Sequence, residues 1–255
     1  MARLKEYNGY YCESEYEYAF IGFLETEGWI YSSGNNISRV TKRDVLIADD
    51  FKKFIVDTNP DLTEDEVTQI FDNVRLVGSE SDFATLHKVY GWMVNGIQFT
   101  PQDGIARMIP LIDFKKDSNK NIFRVVNQFT VEYTNNGQKE NRRPDVLLFV
   151  NGMPLCVIEL KNPADANATI YDAWEQINIR YWRDIPHLLH YCTLACISDG
   201  VKTRLGTVHT PYEHFYAWRR VNDGDAVYTL PFEETETMIK GVYAPERFLE
   251  IFRDY

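Results

Sequence analysis

Residues 145–161 constrain the fold of this chain more than any other stretch. Asp145 leads into Val146-Leu147-Leu148-Phe149-Val150, Asn151-Gly152 follows, and Leu155-Cys156-Val157-Ile158 runs back into Glu159-Leu160-Lys161. Two apolar runs around an Asn-Gly pair predict a β-hairpin. Both strands are apolar on both faces apart from Asp145, Glu159 and Lys161. Burying such charges costs on the order of several kcal/mol each unless they are paired or bind a metal.

Alternate strand residues share a face, so Leu155, Val157, Glu159 and Lys161 form one set. Cys156, Ile158 and Leu160 form the other, which is expected to pack into the core. Register decides whether Asp145 joins Glu159. A regular two-residue Asn151-Gly152 turn pairs Val150 with Met153 and Asp145 with Ile158, which turns the carboxylates to opposite faces. A three-residue loop through Met153, or a bulge, puts Asp145 opposite Glu159. Pro154 has no N–H to donate and suits such an irregularity, so an irregular hairpin is expected.

On one face, Asp145 and Glu159 can hold Mg²⁺, a hard cation that prefers oxygen, with the Leu160 carbonyl as a third ligand. That ion would acidify a bound water and polarise a phosphodiester. Lys161 would orient the attacking water or offset transition-state charge. The chemistry expected is metal-assisted phosphodiester hydrolysis without a Ser, Cys or His nucleophile. His187, His190, His209 and His214 are scattered and carry no assigned role. The plainer reading makes Asp145 a turn residue after Pro144, and Glu159 and Lys161 a solvent-facing rim on an edge strand.

The first ninety residues read as helices. Ser14–Glu17 and Thr63–Glu66 have capping-box spacing, Thr41 and Ser81 are further N-cap candidates, and Gly28 ends the first helix. Ile105–Phe114 and Ile122–Tyr133 read as extended, with a turn at Asn135-Asn136-Gly137. Ala164–Ala168 reads as a loop and Thr169–Trp182 as a helix. Tyr191–Ser198 and Val201–Val208 read as strands, with another near Phe215–Trp218. The class is α/β, a mixed sheet flanked by helices. The expected parts are a helical region (1–100), a core (101–230) and a linker with a helix (231–255). Residues 231–240 are polar and acidic, and an amphipathic helix starts at Pro245. The chain stops in or just after that helix, which suggests a piece of a longer protein.

Net charge is −11, yet residues 115–220 hold 14 Lys and Arg against 11 Asp and Glu, while 1–90 hold 9 against 17. The hairpin thus lies in the one net-positive stretch, but +3 is weak, so duplex DNA should bind poorly and salt-sensitively unless a partner delivers it. Arg142, Arg143, Arg180, Arg183, Lys202 and Arg204 are the candidates to flank a DNA path. Cys12, Cys156, Cys192 and Cys196 show no metal-ligand spacing and predict reduced, buried thiols. With no signal peptide and no apolar run of about 20 residues, a cytoplasmic protein with no membrane partner is expected.

Arg143-Pro144-Asp145 with Glu159-Leu160-Lys161-Asn162-Pro163 resembles the PD-(D/E)xK nuclease motif. More specifically, it resembles the N-terminal nuclease domain of the restriction (R) subunit of type I restriction-modification enzymes. Glu17, Phe20, Ile21, Leu24, Gly28 and Trp29 resemble the family's first helix, whose glutamate often completes the metal site. Gln176, Arg180, Tyr181, Asp184, Ile185 and Pro186 resemble its Gln/Tyr helix. Ile197-Ser198-Asp199-Gly200 with Arg204-Leu205-Gly206 resembles the segment beyond it. The resemblance implies a restriction-endonuclease-like fold with Asp145, Glu159, Lys161, Gln176, Glu17 and Tyr181 as site residues. It also implies Mg²⁺ as cofactor, duplex DNA as substrate, and methylation and specificity subunits as partners. ATP belongs to C-terminal helicase-like motor domains, since this chain has no phosphate-loop motif. Two points stay open. The family pattern is Q-x-x-x-Y, but Gln176 and Tyr181 are five apart, and Arg180 occupies the fourth position. Glu17 is either a site residue or a local cap. A non-catalytic DNA-binding or assembly module of the same fold is the alternative.

Overall fold

The computed structural model describes residues 13–78, 81–116, 119–162, 169–227 and 233–254; Cys12, Pro163 and the Ala164–Ala168 loop lie outside them. Helix α1 (Glu13–Thr26) ends at Gly28, whose φ of 105° suits a residue without Cβ. Strand β1 (Ile30–Ser33) follows, then α2 (Ala48–Thr58), α3 (Glu64–Arg75) and α4 (Asp82–Asn95). Thr63 and Glu66 close the expected capping box, and Ser81 caps α4. Thr41 caps nothing: its N–H and hydroxyl bind the Asp44 carboxylate, and α2 starts at Ala48. Ser14 lies inside α1, so the first expected box does not form there.

Strands β2 (Ile97–Phe99) and β3 (Arg107–Ile109) pair with each other, so only three residues of the expected Ile105–Phe114 segment are strand. Strand β4 (Phe123–Asn127) precedes a separate hairpin, β5 (Val131–Asn135) and β6 (Gln138–Arg142). Then come β7 (Val146–Val150) and β8 (Met153–Leu160). Helix α5 (Ile170–Glu175) runs through a π-helical stretch, Gln176–Tyr181, into α6 (Trp182–Asp184), followed by α7 (Pro186–Leu189). Strands β9 (Leu194–Ser198) and β10 (Thr203–Thr207) complete the sheet. Helix α8 (Glu233–Met238), a second π stretch (Ile239–Tyr243) and α9 (Pro245–Asp254) close the described chain.

The main sheet is mixed and six-stranded, in the order β1-β4-β7-β8-β9-β10. The β1–β4 and β8–β9 pairs are parallel and the rest antiparallel. The parallel step from β8 to β9 needs a crossover, supplied by α5 to α7. This is the α/β architecture with a helical N-terminal region that the sequence predicts. Every residue of β7 and β8 is buried, as strands apolar on both faces require. It also removes the edge-strand reading of Glu159, because β8 is an interior strand.

Two further expectations fail. Near Phe215–Trp218 there is no named strand, only a bridge between Leu205 and Tyr216. The described part of the expected 231–240 linker is helical, with Glu234, Thr235 and Met238 buried. Its polar residues are used internally: Glu234 accepts the Thr203 N–H at 2.7 Å, and Thr235 joins a buried hydroxyl network. In that network Tyr16 bonds Ser198 at 2.6 Å and Thr235 at 3.0 Å, and Thr203 bonds Ser198 and Thr235, both at 2.7 Å. These hydroxyls tie α1, β9, β10 and α8 together. Cys156, Cys192 and Cys196 are free thiols in the core. No described helix is long and apolar enough to cross a membrane.

The hairpin tip is itself buried. Asn151 and Gly152 have φ of 51° and 75°, as a two-residue type I′ turn requires. The Asn151 side chain accepts from the Ile122 N–H and donates to the Leu111 carbonyl, and the Gly152 carbonyl accepts from the Ile47 N–H at 2.8 Å. A Cβ at Gly152 would lie 2.2 Å from the Ile47 oxygen, whereas one at Gly137, with φ of 79°, would meet open space. Gly137→Ala should therefore cost only left-handed strain, about 1–2 kcal/mol. Gly152→Ala should cost clearly more, measured as the fall in the urea unfolding midpoint; equal costs would contradict the packing described.

Candidate functional site

The hairpin register settles where Asp145 lies. Val150 pairs with Met153 and Phe149 with Pro154, but Leu148 then pairs with Cys156, leaving Leu155 as an extra residue. Leu147 and Val146 follow opposite Val157 and Ile158. One further step in this register puts Asp145 opposite Glu159. The irregularity is thus a β-bulge at Leu155, while the Asn151-Gly152 turn stays regular. The Asp145 carboxylate accepts the Leu160 N–H at 2.8 Å. The Lys161 N–H is held by the Ser198 carbonyl at 2.8 Å, which fixes the end of β8 against β9.

Glu159 is fully buried. Its Oε1 accepts the Tyr181 hydroxyl at 2.5 Å, and its Oε2 accepts Gln176 Nε2 at 2.6 Å. Gln176 Nε2 also reaches the Tyr181 oxygen at 2.9 Å, and Gln176 Oε1 accepts Lys161 Nζ at 3.0 Å. One carboxamide therefore orients both the buried carboxylate and the lysine. The π-helical stretch makes this possible. Its i to i+5 repeat brings Gln176 and Tyr181 to one side, where a regular helix would favour the i+4 residue. Tyr181 is buried against Glu159 and Arg180 is exposed, so Tyr181 is the partner of Gln176.

Burial pushes the Glu159 carboxyl well above the usual carboxylate range, and the nearby Asp145 carboxylate adds to this. The Lys161 ammonium and the Tyr181 hydroxyl act in the opposite direction. Burial, and then Glu159, push the Tyr181 phenol up as well.

Residues 10–214 match the family model described as type I restriction enzyme R protein N terminus. The chain belongs to that family. It is 29% identical to the HindI endonuclease subunit of a Haemophilus influenzae type I restriction enzyme, over 94% of this chain and 23% of that one. A Methanocaldococcus jannaschii protein, provisionally named the MjaIXP type I restriction enzyme endonuclease subunit, is 30% identical over 94% of this chain and 25% of its own length. The chain thus spans about a quarter of the length of these relatives.

In this R-protein N terminus, Glu17 is buried and its carboxylate accepts Asn127 Nδ2 at 2.6 Å and Gln128 Nε2 at 3.2 Å. It does not cap α1. Among the described residues no group of three or more His, Cys, Asp or Glu is placed to hold a metal, so Glu17 is not gathered with Asp145 and Glu159. Asn127 and Gln128, which receive it, carry no local sequence signal. Ser198 could have been found from the Ile197-Ser198-Asp199-Gly200 segment. A pair of carboxylates with the Leu160 carbonyl suits Mg²⁺, which keeps several waters and takes one or two carboxylates. It does not suit a closed four-ligand zinc site.

The arginines divide. Arg142 and Arg183 both bind Asp184, with nitrogen–oxygen distances of 2.6–2.9 Å. Arg204 donates to the Phe215 carbonyl. Arg143, Arg180 and Lys202 are exposed. The Arg183 bond, followed by that from Arg142, holds the Asp184 carboxyl below the usual carboxylate range. A carboxyl lowered in the folded state adds stability above its unfolded pKa of about 3.9, and that stability is lost as pH falls through the folded value. Acid urea titrations should therefore show wild type converging on Asp184→Asn below about pH 4. A gap between the two that does not change with pH would contradict it.

Proposed function

We propose that this chain is a Mg²⁺-dependent endonuclease domain of a type I restriction enzyme, cutting the phosphodiester backbone of unmodified duplex DNA. Helicase-like domains outside this chain would move the DNA with ATP, and methylation and specificity subunits would select it. The observation that carries the reading is the Leu155 bulge, which sets Asp145 opposite Glu159 near the end of β8, with Lys161 just beyond that strand. When bound between the two carboxylates, Mg²⁺ supplies Lewis-acid polarisation of the phosphate and acidifies a water.

The chain's own residues do the rest. Asp145 and Glu159 would hold the ion, and Asp145 is the less buried of the two. Gln176 and Tyr181 fix the orientation of Glu159. Lys161, steadied by Gln176 Oε1, presents its ammonium to the attacking water or to the charge that builds on the phosphate.

One observation favours the second reading, a non-catalytic DNA-binding or assembly module: both Glu159 oxygens already accept hydrogen bonds. Variants in the full restriction assembly decide between the two. Asp145→Ala and Lys161→Ala should each lower DNA cleavage by at least about 10²-fold, with ATP-driven translocation retained. Unchanged cleavage would overturn the nuclease reading.

A further inference from the structure

The two segments that build the site meet again beyond it. Arg142 precedes Asp145 by three residues and Asp184 follows Tyr181 by three, and the two are ion-paired at 2.6 Å. Their pairing forms part of an open groove of about 600 Å³ between the β5–β6 hairpin and the α6–α7 segment. We propose that this groove seats a backbone phosphate of the DNA strand running through the candidate site. The proposal rests on the nuclease reading and names a substrate contact that the reading does not require.

Charge and unpaired polarity point the same way. Three guanidiniums, from Arg43, Arg142 and Arg183, line the groove against two carboxylates, Glu140 and Asp184. The groove is locally net positive in a chain of net charge −11. Glu140 is occupied by Tyr133 at 2.6 Å and Asn135 at 2.9 Å, and Asp184 by its two arginines. Arg43 is exposed and forms no ion pair among the described residues. His187 adds a second, independent observation. Its Nε2 is buried at the groove with no hydrogen-bond partner among the described residues. Buried polar atoms are seldom left so, and an unpaired one marks a place where a ligand or water completes the bonding. Burial and then Arg43 push the His187 pKa down to about 4, so the ring is neutral near pH 7. A rotation of the ring that brings Nε2 to the groove surface would let its Nε2–H tautomer donate to a phosphate oxygen without adding charge, while Arg43 and Arg183 supply the cations that such an oxygen prefers.

The test is equilibrium binding of a fluorescently labelled duplex to the 255-residue chain, by anisotropy at low salt and without divalent ions. Arg43→Glu should weaken binding about tenfold or more, and Arg43→Ala should flatten the slope of log affinity against log salt by roughly 0.9, the loss of one phosphate contact. Lys53→Glu makes the same charge change as Arg43→Glu on α2, outside the groove lining, and should change affinity by less than about twofold. His187→Ala should weaken binding while leaving the salt slope in place. Unchanged binding by Arg43→Glu, an equal loss in Lys53→Glu, or no duplex binding by the wild-type chain would overturn the groove proposal. Full cleavage by Asp145→Ala in the assembly, with Arg43→Glu still weakening binding, would instead overturn the nuclease reading and leave the groove standing.

Discussion

The structure turns on one buried carboxylate. Glu159 sits at the end of an interior strand with no solvent contact, beside a second carboxylate, and it accepts a phenol and a carboxamide. A buried charge costs on the order of several kcal/mol unless its surroundings compensate. Two hydrogen bonds to its oxygens and a lysine on the same carboxamide supply part of that compensation. Burial, and then the neighbouring Asp145 carboxylate, push this carboxyl above the usual carboxylate range. Arrangements that store an unmet electrostatic demand cluster at functional sites.

Two backbone irregularities make the arrangement possible, and each adds one residue to a regular element. The Leu155 bulge shifts β8 so that Asp145 and Glu159 come opposite each other. The π-helical stretch widens one turn so that Gln176 and Tyr181, five residues apart, both reach Glu159. Bulges and π-bulges are both over-represented near functional sites, where they re-aim side chains. Here the two act on the same carboxylate, one from β8 and one from the π stretch that follows α5.

Local signals made much of this legible. The apolar runs around Asn151-Gly152, the Thr63–Glu66 box and the Ser81 cap all concern residues a few positions apart, and each formed where expected. Placing Asp145 and Glu159 on one face required a three-residue loop or a bulge; the bulge lies at Leu155 and the turn itself is regular. What stayed hidden depends on distant partners. Strand β1 is four residues long and forms only because β4 lies beside it. The acidic 231–240 stretch reads as a linker until Thr203 and the buried hydroxyls are there to receive it. Ser14–Glu17 has capping spacing, but Asn127 and Gln128, about 110 residues on, take the Glu17 carboxylate instead. The fifth-residue spacing of Gln176 and Tyr181 read as a departure because periodicity assumes a uniform helix.

The charge distribution fits the same picture. The chain is acidic overall, and Arg43, Arg142 and Arg183 line one groove, with Arg142 three residues before Asp145 in the sequence. Such a protein would take DNA weakly by itself and rely on larger machinery to present it. The facing of Asp145 and Glu159 is the point on which the account stands, and calorimetric titration of Mg²⁺ into the wild-type chain and Asp145→Asn tests it most directly. The account predicts that the wild-type chain binds Mg²⁺ and that Asp145→Asn loses at least about tenfold in affinity, since Mg²⁺ depends on one or two carboxylates. Equal binding by both proteins, or none by the wild-type chain, would contradict it.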